Sequence, residues 1–338
     1  MNIREAIEKL VNRADLSEAE TIEVMNQIMT GEATPLQVAS FLTALRMKGE
    51  TVDEITGAAR VMREKAHRVN IGSKTVLDTC GTGGDQKGTF NISTASAFVV
   101  AGAGINVAKH GNRSVSSQSG SADVLGALGV KVDAPRERVE ACIAKIGIGF
   151  LFAPLLHEAM KYAVQPRRDI GIRTVFNLLG PLTNPAMASH QLLGLYSGAL
   201  VGAIAHVLKN LGSIRAMVVH GLEGLDEISL CGPTQVAELR DGQVKEYTIE
   251  PEQLELKRCR LEDLRGGTAE QSATILEGVL RGDKGPTREV VLLNSGAALY
   301  VSGTAATIQD GMRLAVQSID SGKARQKLRQ LVEMTNAG

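Results

Sequence analysis

Thr75-Val76-Leu77-Asp78-Thr79-Cys80-Gly81-Thr82-Gly83-Gly84-Asp85 marks the point where this 338-residue chain changes character. Thr75 to Asp78 is a short β-favouring run. Three glycines in four positions follow, and they let the backbone turn sharply and bring its N–H groups close to a ligand. Gly88, Thr89 and Phe90 then lead into Asn91-Ile92-Ser93-Thr94 and the apolar helical run Ala95 to Ala101. A strand, a glycine-rich turn and a helix N-terminus in succession favour an anion. The Ser93 and Thr94 hydroxyls can serve as helix caps or as phosphate ligands. No Gly-Lys-Ser/Thr follows and the spacing is not GxGxxG, so this is neither a Walker loop nor a dinucleotide fingerprint. By itself the loop reads equally well as a flexible turn that caps a helix.

Downstream, strand-like runs alternate with helical ones. Ala216 to Val219 and Val290 to Leu293 are apolar runs bounded by turn residues, as buried strands are. Gln235 to Arg240 and Gln243 to Ile249 flank Asp241-Gly242, the signature of a two-residue hairpin. This alternation predicts an α/β domain with a central, mostly parallel sheet, its strand order left open. Upstream, the first 70 residues read as four short helices. Ile3, Ile7, Leu10 and Val11 keep a spacing of three to four, and Ile22, Met25, Ile28 and Met29 repeat it. Ser17 with Glu20, Thr34 with Gln37, and Thr51 with Glu54 form N-terminal capping boxes, and Pro35 suits a first helical position. Met160 to Pro185, rich in Arg, Gly and Pro, is either a linker or a return to the helical part; periodicity does not separate the two.

Hydrophobic residues make up 43% and charged residues 22%, the balance of a folded globular chain. Aromatic residues are only 3%, with no Trp, so platforms for stacking single-stranded nucleic acid are scarce. Lys plus Arg equals Asp plus Glu at 37 each, which argues against a general polyanion binder and makes any anion site local. Cys80, Cys142, Cys231 and Cys259 are far apart in sequence and point to neither a zinc site nor a disulfide framework. Met1 to Leu10 has no apolar core of a signal peptide, and no stretch of about 18 uninterrupted apolar residues predicts a membrane span. The expectation is a reduced, cytoplasmic, soluble protein that binds neither membrane nor nucleic acid.

Four further segments carry chemistry. Lys109-His110-Gly111-Asn112-Arg113 follows the strand-like Ile105 to Ala108 and precedes Ser114, Ser116, Ser117, Ser119, Gly120 and Ser121, which together read as a second polyanion clamp or as a solvated loop. Asp226-Glu227 stands shortly after the strand ending at His220; adjacent carboxylates tolerate each other when a cation lies beside them, and Mg²⁺ sites that hold phosphates use one or two. Arg167, followed by Arg168, is suited to gripping a planar carboxylate with two parallel hydrogen bonds, or to a surface ion pair. His157 stands on a helix-like stretch and is either structural or catalytic, while Asp123, Glu137 and the cysteines lack a constellation and read as structural.

In their order, Gly-Thr-Gly-Gly-Asp at 81–85, Asn-Ile-Ser-Thr at 91–94, Lys-His-Gly-Asn-Arg at 109–113, Ser-Gly-Ser-Ala-Asp at 119–123, Phe-Asn-Leu-Leu-Gly-Pro-Leu-Thr-Asn-Pro at 176–185 and Gly-Leu-Asp-Glu at 224–227 closely resemble the anthranilate phosphoribosyltransferase family. The resemblance spans essentially the whole chain. It implies a small helical dimerisation domain, 1–70 with about 164–185, packed on an α/β domain of 71–163 and 186–338, and a homodimer formed through the helical part. It also implies that Gly81, Gly84, Asp85, Thr89, Asn91, Ile92, Ser93, Thr94, Lys109, His110, Gly111, Asn112, Arg113, Ser114, Val115, Ser116, Ser117 and Ser121 surround phosphoribosyl pyrophosphate. Ser93, Asp226 and Glu227 would hold two Mg²⁺ ions per subunit. Gly81, Asn112, Arg167 and His157 would contact anthranilate, with His110 and Arg167 as positioning groups and no residue singled out as acid or base. One departure bears on His157: the family often has Pro after this histidine, and Glu158 stands here. A pyrimidine-nucleoside phosphorylase would share the architecture but use free phosphate without a metal pair. A non-catalytic nucleic-acid-binding homologue would have lost the glycine loop and become basic.

Overall fold

Four capped helices open the chain: α1 (Ile3–Val11), α2 (Glu18–Thr30), α3 (Pro35–Lys48) and α4 (Val52–Lys65). The Ser17, Thr34 and Thr51 hydroxyls accept from the amides three residues on, and Glu20, Gln37 and Glu54 reach back to the cap amides. A fourth box, Asn2 with Glu5, starts α1. Each cap contributes about 1 kcal/mol, and burial of Val24, Ile28, Phe41, Leu42 and Ile55 holds the helices together. The computed structural model describes residues 1–72, 75–114 and 118–337; the expected donor contacts at Val115, Ser116 and Ser117 lie outside the described residues.

Strands and helices then alternate. In chain order come β1 (Leu77–Gly81), α5 (Ile92–Gly102), β2 (Val107–Gly111), α6 (Ser121–Ala127), α7 (Arg136–Ile146) and β3 (Ile148–Phe152). α8 (Ala153–Leu156), α9 (Lys161–Ile170), α10 (Phe176–Leu182), β4 (His190–Gly194), α11 (Val201–Asn210) and β5 (Arg215–Gly221) follow. The hairpin β6 (Thr234–Arg240) and β7 (Gln243–Ile249) and the helices α12 (Ala269–Arg281), α13 (Pro286–Val301), α14 (Ile308–Asp320) and α15 (Lys323–Asn336) complete the chain. Asp241 and Gly242 both take the positive φ, 51° and 73°, that a tight hairpin turn requires.

Among the described residues the strands form one sheet in the order β3-β2-β1-β4-β5-β6-β7. It is parallel from β3 to β5 and antiparallel through β6 and β7. From β1 the chain steps outward through β2 to β3, then returns and steps outward the other way from β4. The order therefore reverses between β1 and β4, and open α/β sheets bind ligands outside the carboxyl ends of such strands.

Side chains alternate between two layers with the period of a strand. Met217 and Val219 of β5 enter a core with Phe98 of α5, Leu276 of α12, Val291 of α13 and Leu331 of α15. Ala216 and Val218 enter the opposite core, continuous from Ile204 of α11 to Val24, Phe41 and Leu179 of the helical layer. α9 packs against α2 and α3, and α10 against α4, so the stretch from Met160 to Pro185 returns the chain to the helices rather than serving as a linker.

Two local expectations fail. Val290 to Leu293 is not a strand but lies inside α13, which begins at Gly285-Pro286 and is buried on nearly every side. A helix covered all round has no polar stripe, so a short apolar run from it looks like a buried strand. β1 and β2 also run further than their apolar residues: Lys109 and His110 pair with Phe150 and Leu151 inside the sheet rather than following it.

Candidate active site

Gly81 and Gly194 face each other at the carboxyl ends of β1 and β4. The loop after β5 crosses directly over them. A Cβ on Gly194 would stand 1.6 Å from the Asp226 carbonyl oxygen, and one on Gly81 would stand 2.7 Å from Asp226 Oδ2. Only glycine permits that approach. The Gly83 amide donates to Asp226 Oδ2 at 2.8 Å, and the Ser93 amide donates to Glu227 Oε1 at 3.0 Å. The glycine loop, the start of α5 and the acidic pair thus share one cleft. Buried Asn294, on α13, clamps the loop from behind: its Oδ1 accepts from the Ile228 amide at 3.0 Å and its Nδ2 donates to the Ile228 carbonyl at 2.9 Å.

Lys109 is buried at the end of β2 and donates to the Thr79 carbonyl at 2.6 Å and to Ser93 Oγ at 3.3 Å. Burial lowers its pKa, opposed by the Asp78 carboxylate. Asp78, itself pushed up to about 6 by burial, accepts from the His110 amide at 3.2 Å and from Asn184 Nδ2 at 2.7 Å. Asn184 also donates to the Ala108 carbonyl at 2.8 Å, tying the segment after α10 to β2. Neither Asp78 nor Asn184 stands out in the sequence, because each acts through buried backbone partners far away along the chain.

Beyond β2, Asp123 ties Arg113 and Ser114 to Gly120. Its carboxylate accepts from the Ser114 and Gly120 amides at 3.0 and 2.9 Å and from Arg113 Nη1 at 2.9 Å, the structural role expected of it. Ser121 Oγ donates to the Asn112 carbonyl at 3.4 Å. Thr89 bridges to Arg265. Asn91 Oδ1, Thr94 Oγ1 and Asp85 Oδ2 are buried without a hydrogen-bond partner. Native structures rarely leave such atoms unsatisfied, so three orphans around one helix start call for a polar ligand.

His110 and His157 form a second group. Their ring centroids are 5.2 Å apart, and His110 Nδ1 lies 3.1 Å from the Gly180 carbonyl oxygen. His110 Nε2 and both His157 ring nitrogens lack a hydrogen-bond partner. Burial pulls the two down to about 3 and about 4, so both rings are neutral at pH 7. His157 lies at the break after α8 rather than within a helix, and exposed Glu158 points to Lys161. Arg167 is half-buried on α9, its guanidinium 5.1 Å from the Phe176 ring centre, and among the described residues no carboxylate pairs with it. Arg173, unassigned from sequence, donates to the Gly84 carbonyl and lies 4.2 Å over the Tyr196 ring.

The acidic pair fits a hard cation. Burial, then the neighbouring Asp85, holds Asp226 well above the usual carboxylate range; burial, then Asp226, does the same to Glu227. Among the described residues no three His, Cys, Asp or Glu side chains form a ready metal cage. Mg²⁺ does not need one, since it takes one or two carboxylates and completes its shell with water and substrate phosphates. A carboxyl whose folded pKa is raised contributes stability below the ordinary carboxylate range and loses it as pH rises through the raised value. A Mg²⁺ ion bound by these two groups would replace the protons that they hold. The rise in thermal midpoint on adding Mg²⁺ is therefore expected to be larger at about pH 8 than at about pH 6; equal rises in a fluorimetric melt would contradict this.

Comparison with known proteins covers nearly the whole chain. Residues 73–325 match the α/β domain of a glycosyl transferase family, and residues 4–66 match the helical bundle domain of a glycosyl transferase family. Anthranilate phosphoribosyltransferase of Geotalea uraniireducens is 55% identical over 348 aligned positions, covering 99% of each chain. The crystal structure of anthranilate phosphoribosyltransferase from Thermus thermophilus superimposes with a TM-score of 0.93 at 44% identity, covering 98% of this chain and 99% of that one. The Saccharomyces cerevisiae enzyme, solved in complex with PRPP and Mg, gives a TM-score of 0.87 at 29% identity, covering 98% and 97%.

Proposed function

Because this chain belongs to the anthranilate phosphoribosyltransferase family, we propose that the cleft at the β1–β4 reversal is where it transfers the phosphoribosyl group of phosphoribosyl pyrophosphate to the amine of anthranilate. The products are N-(5-phosphoribosyl)anthranilate and pyrophosphate, a step of tryptophan synthesis. The observation that carries the site is the pair of backbone hydrogen bonds, Gly83 to Asp226 and Ser93 to Glu227, that joins the donor loop to the acidic loop.

In this reading Gly81, Gly84, Asp85, Thr89, Asn91 to Thr94, Lys109 to Ser114 and Ser121 surround the donor, whose phosphates satisfy the orphaned atoms at the start of α5. Ser93, Asp226 and Glu227 hold Mg²⁺, two ions per subunit. Bound there, the metal neutralises the pyrophosphate leaving group. Lys109 adds a buried positive charge beside the same hydroxyl. With such a leaving group no strong general acid is needed, which agrees with two histidines neutral at pH 7. The aniline-type amine of anthranilate is largely unprotonated at neutral pH, so a weak acceptor such as His110 Nε2 or a His157 nitrogen suffices to orient it. The protein contributes chiefly position and fixed charge.

Arg167, with Gly81, Asn112 and His157, holds the acceptor. A guanidinium without a protein carboxylate is free for the anthranilate carboxylate. Arg167→Ala is expected to raise the KM for anthranilate by roughly 10-fold or more, with the KM for the donor changed by less than about twofold. The reverse pattern in steady-state kinetics would exchange its role. Val11, Leu36, Met47 and Tyr162 expose apolar surface on the helical layer, which favours a homodimer through the domain of 1–70 and 164–185. Four free thiols suit a reducing cytoplasm.

The reaction is tested by following anthranilate fluorescence with donor, Mg²⁺ and protein, omitting each in turn. Consumption should require all three; consumption without Mg²⁺ would contradict the reading.

A further inference from the structure

We propose that Cys231 and Cys259 are an oxidative modification site, a dithiol that a small-molecule disulfide converts to an internal cross-link, lowering transferase activity. The effect on activity rests on the placement of Mg²⁺ at Asp226 and Glu227 argued above; formation of the cross-link does not.

The two sulfurs are 3.8 Å apart although the residues lie 28 positions apart in the sequence. Both residues are half-buried, so a small reagent can reach them. The Cys259 amide donates to the Leu230 carbonyl at 3.1 Å, which sets the two backbones side by side as a disulfide requires. On one side the pair is wired to the acidic loop: the Cys231 amide donates at 2.9 Å to Ser229 Oγ, which in turn donates to Glu223. On the other side the chain beyond Cys259 pairs with the donor loop, Phe90 donating to the Leu264 carbonyl at 3.0 Å and Gly266 to the Gly88 carbonyl at 2.9 Å. The thiols therefore link the segment that follows the acidic loop to the segment that pairs with residues 88–90.

In the exchange, the Cys259 thiolate attacks one sulfur of the reagent and expels a thiolate. The Cys231 thiolate then attacks Cys259 Sγ and expels the second. Two electrons pass to the reagent, which leaves as two thiols carrying the two protons. Burial pushes the Cys231 thiol up to about 12 and also raises Cys259, so the exchange is slow at neutral pH. Closing the sulfurs to a bond of roughly 2 Å draws Cys231, four residues beyond Glu227, toward Cys259. A displacement of this size near a metal-holding loop costs turnover.

The whole protein is incubated with millimolar oxidised glutathione and followed by intact mass, by thiol titration after denaturation, and by assay. Expected are a loss of two mass units, two titratable thiols in place of four, and a peptide linking 231 to 259. The kcat/KM for the donor should fall about fivefold or more and recover with dithiothreitol, while the double variant Cys231→Ser/Cys259→Ser, which can form neither the cross-link nor a mixed disulfide there, keeps its activity in the same reagent. Four remaining thiols, or stable glutathione adducts without the linked peptide, would overturn the site. A linked peptide with unchanged kcat/KM would overturn the control of activity while leaving the Mg²⁺ assignment to its own test. If a serine variant fails to fold, the peptide map of the wild-type protein decides alone.

Discussion

Asp226→Asn is expected to lower kcat by roughly 10²-fold or more, the largest effect of any single change that preserves shape. The amide oxygen of Asn can still accept from the Gly83 amide, which now donates to Asp226 Oδ2 at 2.8 Å, so the loop keeps its hydrogen bond. What is lost is charge at a half-buried position beside Asp85 and Glu227. In a site of low dielectric that charge acts on the metal far more strongly than it would in water. Stability should move the other way. Removing a carboxyl that burial already disfavours as an anion leaves the midpoint at neutral pH unchanged or higher. A mutant with wild-type rate and unchanged Mg²⁺ dependence would remove Asp226 from the site, and a collapsed midpoint would show that its role is structural.

Gly194→Ala is expected to be nearly as damaging, for a steric reason. An added methyl carbon would lie 1.6 Å from the Asp226 carbonyl oxygen and 2.5 Å from its carbonyl carbon, both backbone atoms that cannot rotate away. Either β4 or the acidic loop must move by more than 1 Å to restore ordinary contact. Asn294 grips the loop at Ile228 and β4 is held between β1 and β5, so the strain spreads into both. The expected results are a loss of about 1–3 kcal/mol in stability and a fall in kcat/KM for the donor of roughly 10²-fold. Denaturant unfolding and steady-state kinetics on one preparation measure both. Wild-type donor kinetics in a folded Gly194→Ala protein would mean that the loop does not need its present height above the sheet.

The parts of this molecule legible in its sequence are those governed by local chemistry. Ser17, Thr34 and Thr51 announce helix starts because a hydroxyl and a side chain three residues later need no distant partner. Asp241-Gly242 announces its hairpin because few residues take positive φ twice in succession. Gly81, Gly83 and Gly84 announce a sharp turn between a strand and a helix, and the ordered motifs pick out this turn, Lys109 and the acidic pair, which the fold brings into one cleft. What stayed hidden depends on partners remote in sequence. Val290 to Leu293 looks like a strand because complete burial erases the helical stripe. Asn294 gives no sign that it grips Ile228, nor Asn184 that it holds Asp78. The glycine at 194 is unremarkable until β4 is paired with β1 and the acidic loop is laid across both. Cys231 and Cys259 look unrelated until the segment after β7 is brought beside the acidic loop.

Anomalous diffraction from crystals grown with phosphoribosyl pyrophosphate and Mn²⁺ in place of Mg²⁺ tests the shared cleft most directly. Metal peaks are expected within roughly 2.5 Å of the Asp226 and Glu227 carboxylates, with the diphosphate lying against residues 81–94 and Lys109. Metal and donor bound together elsewhere, with Asp226 and Glu227 still hydrogen-bonded only to protein, would contradict this placement.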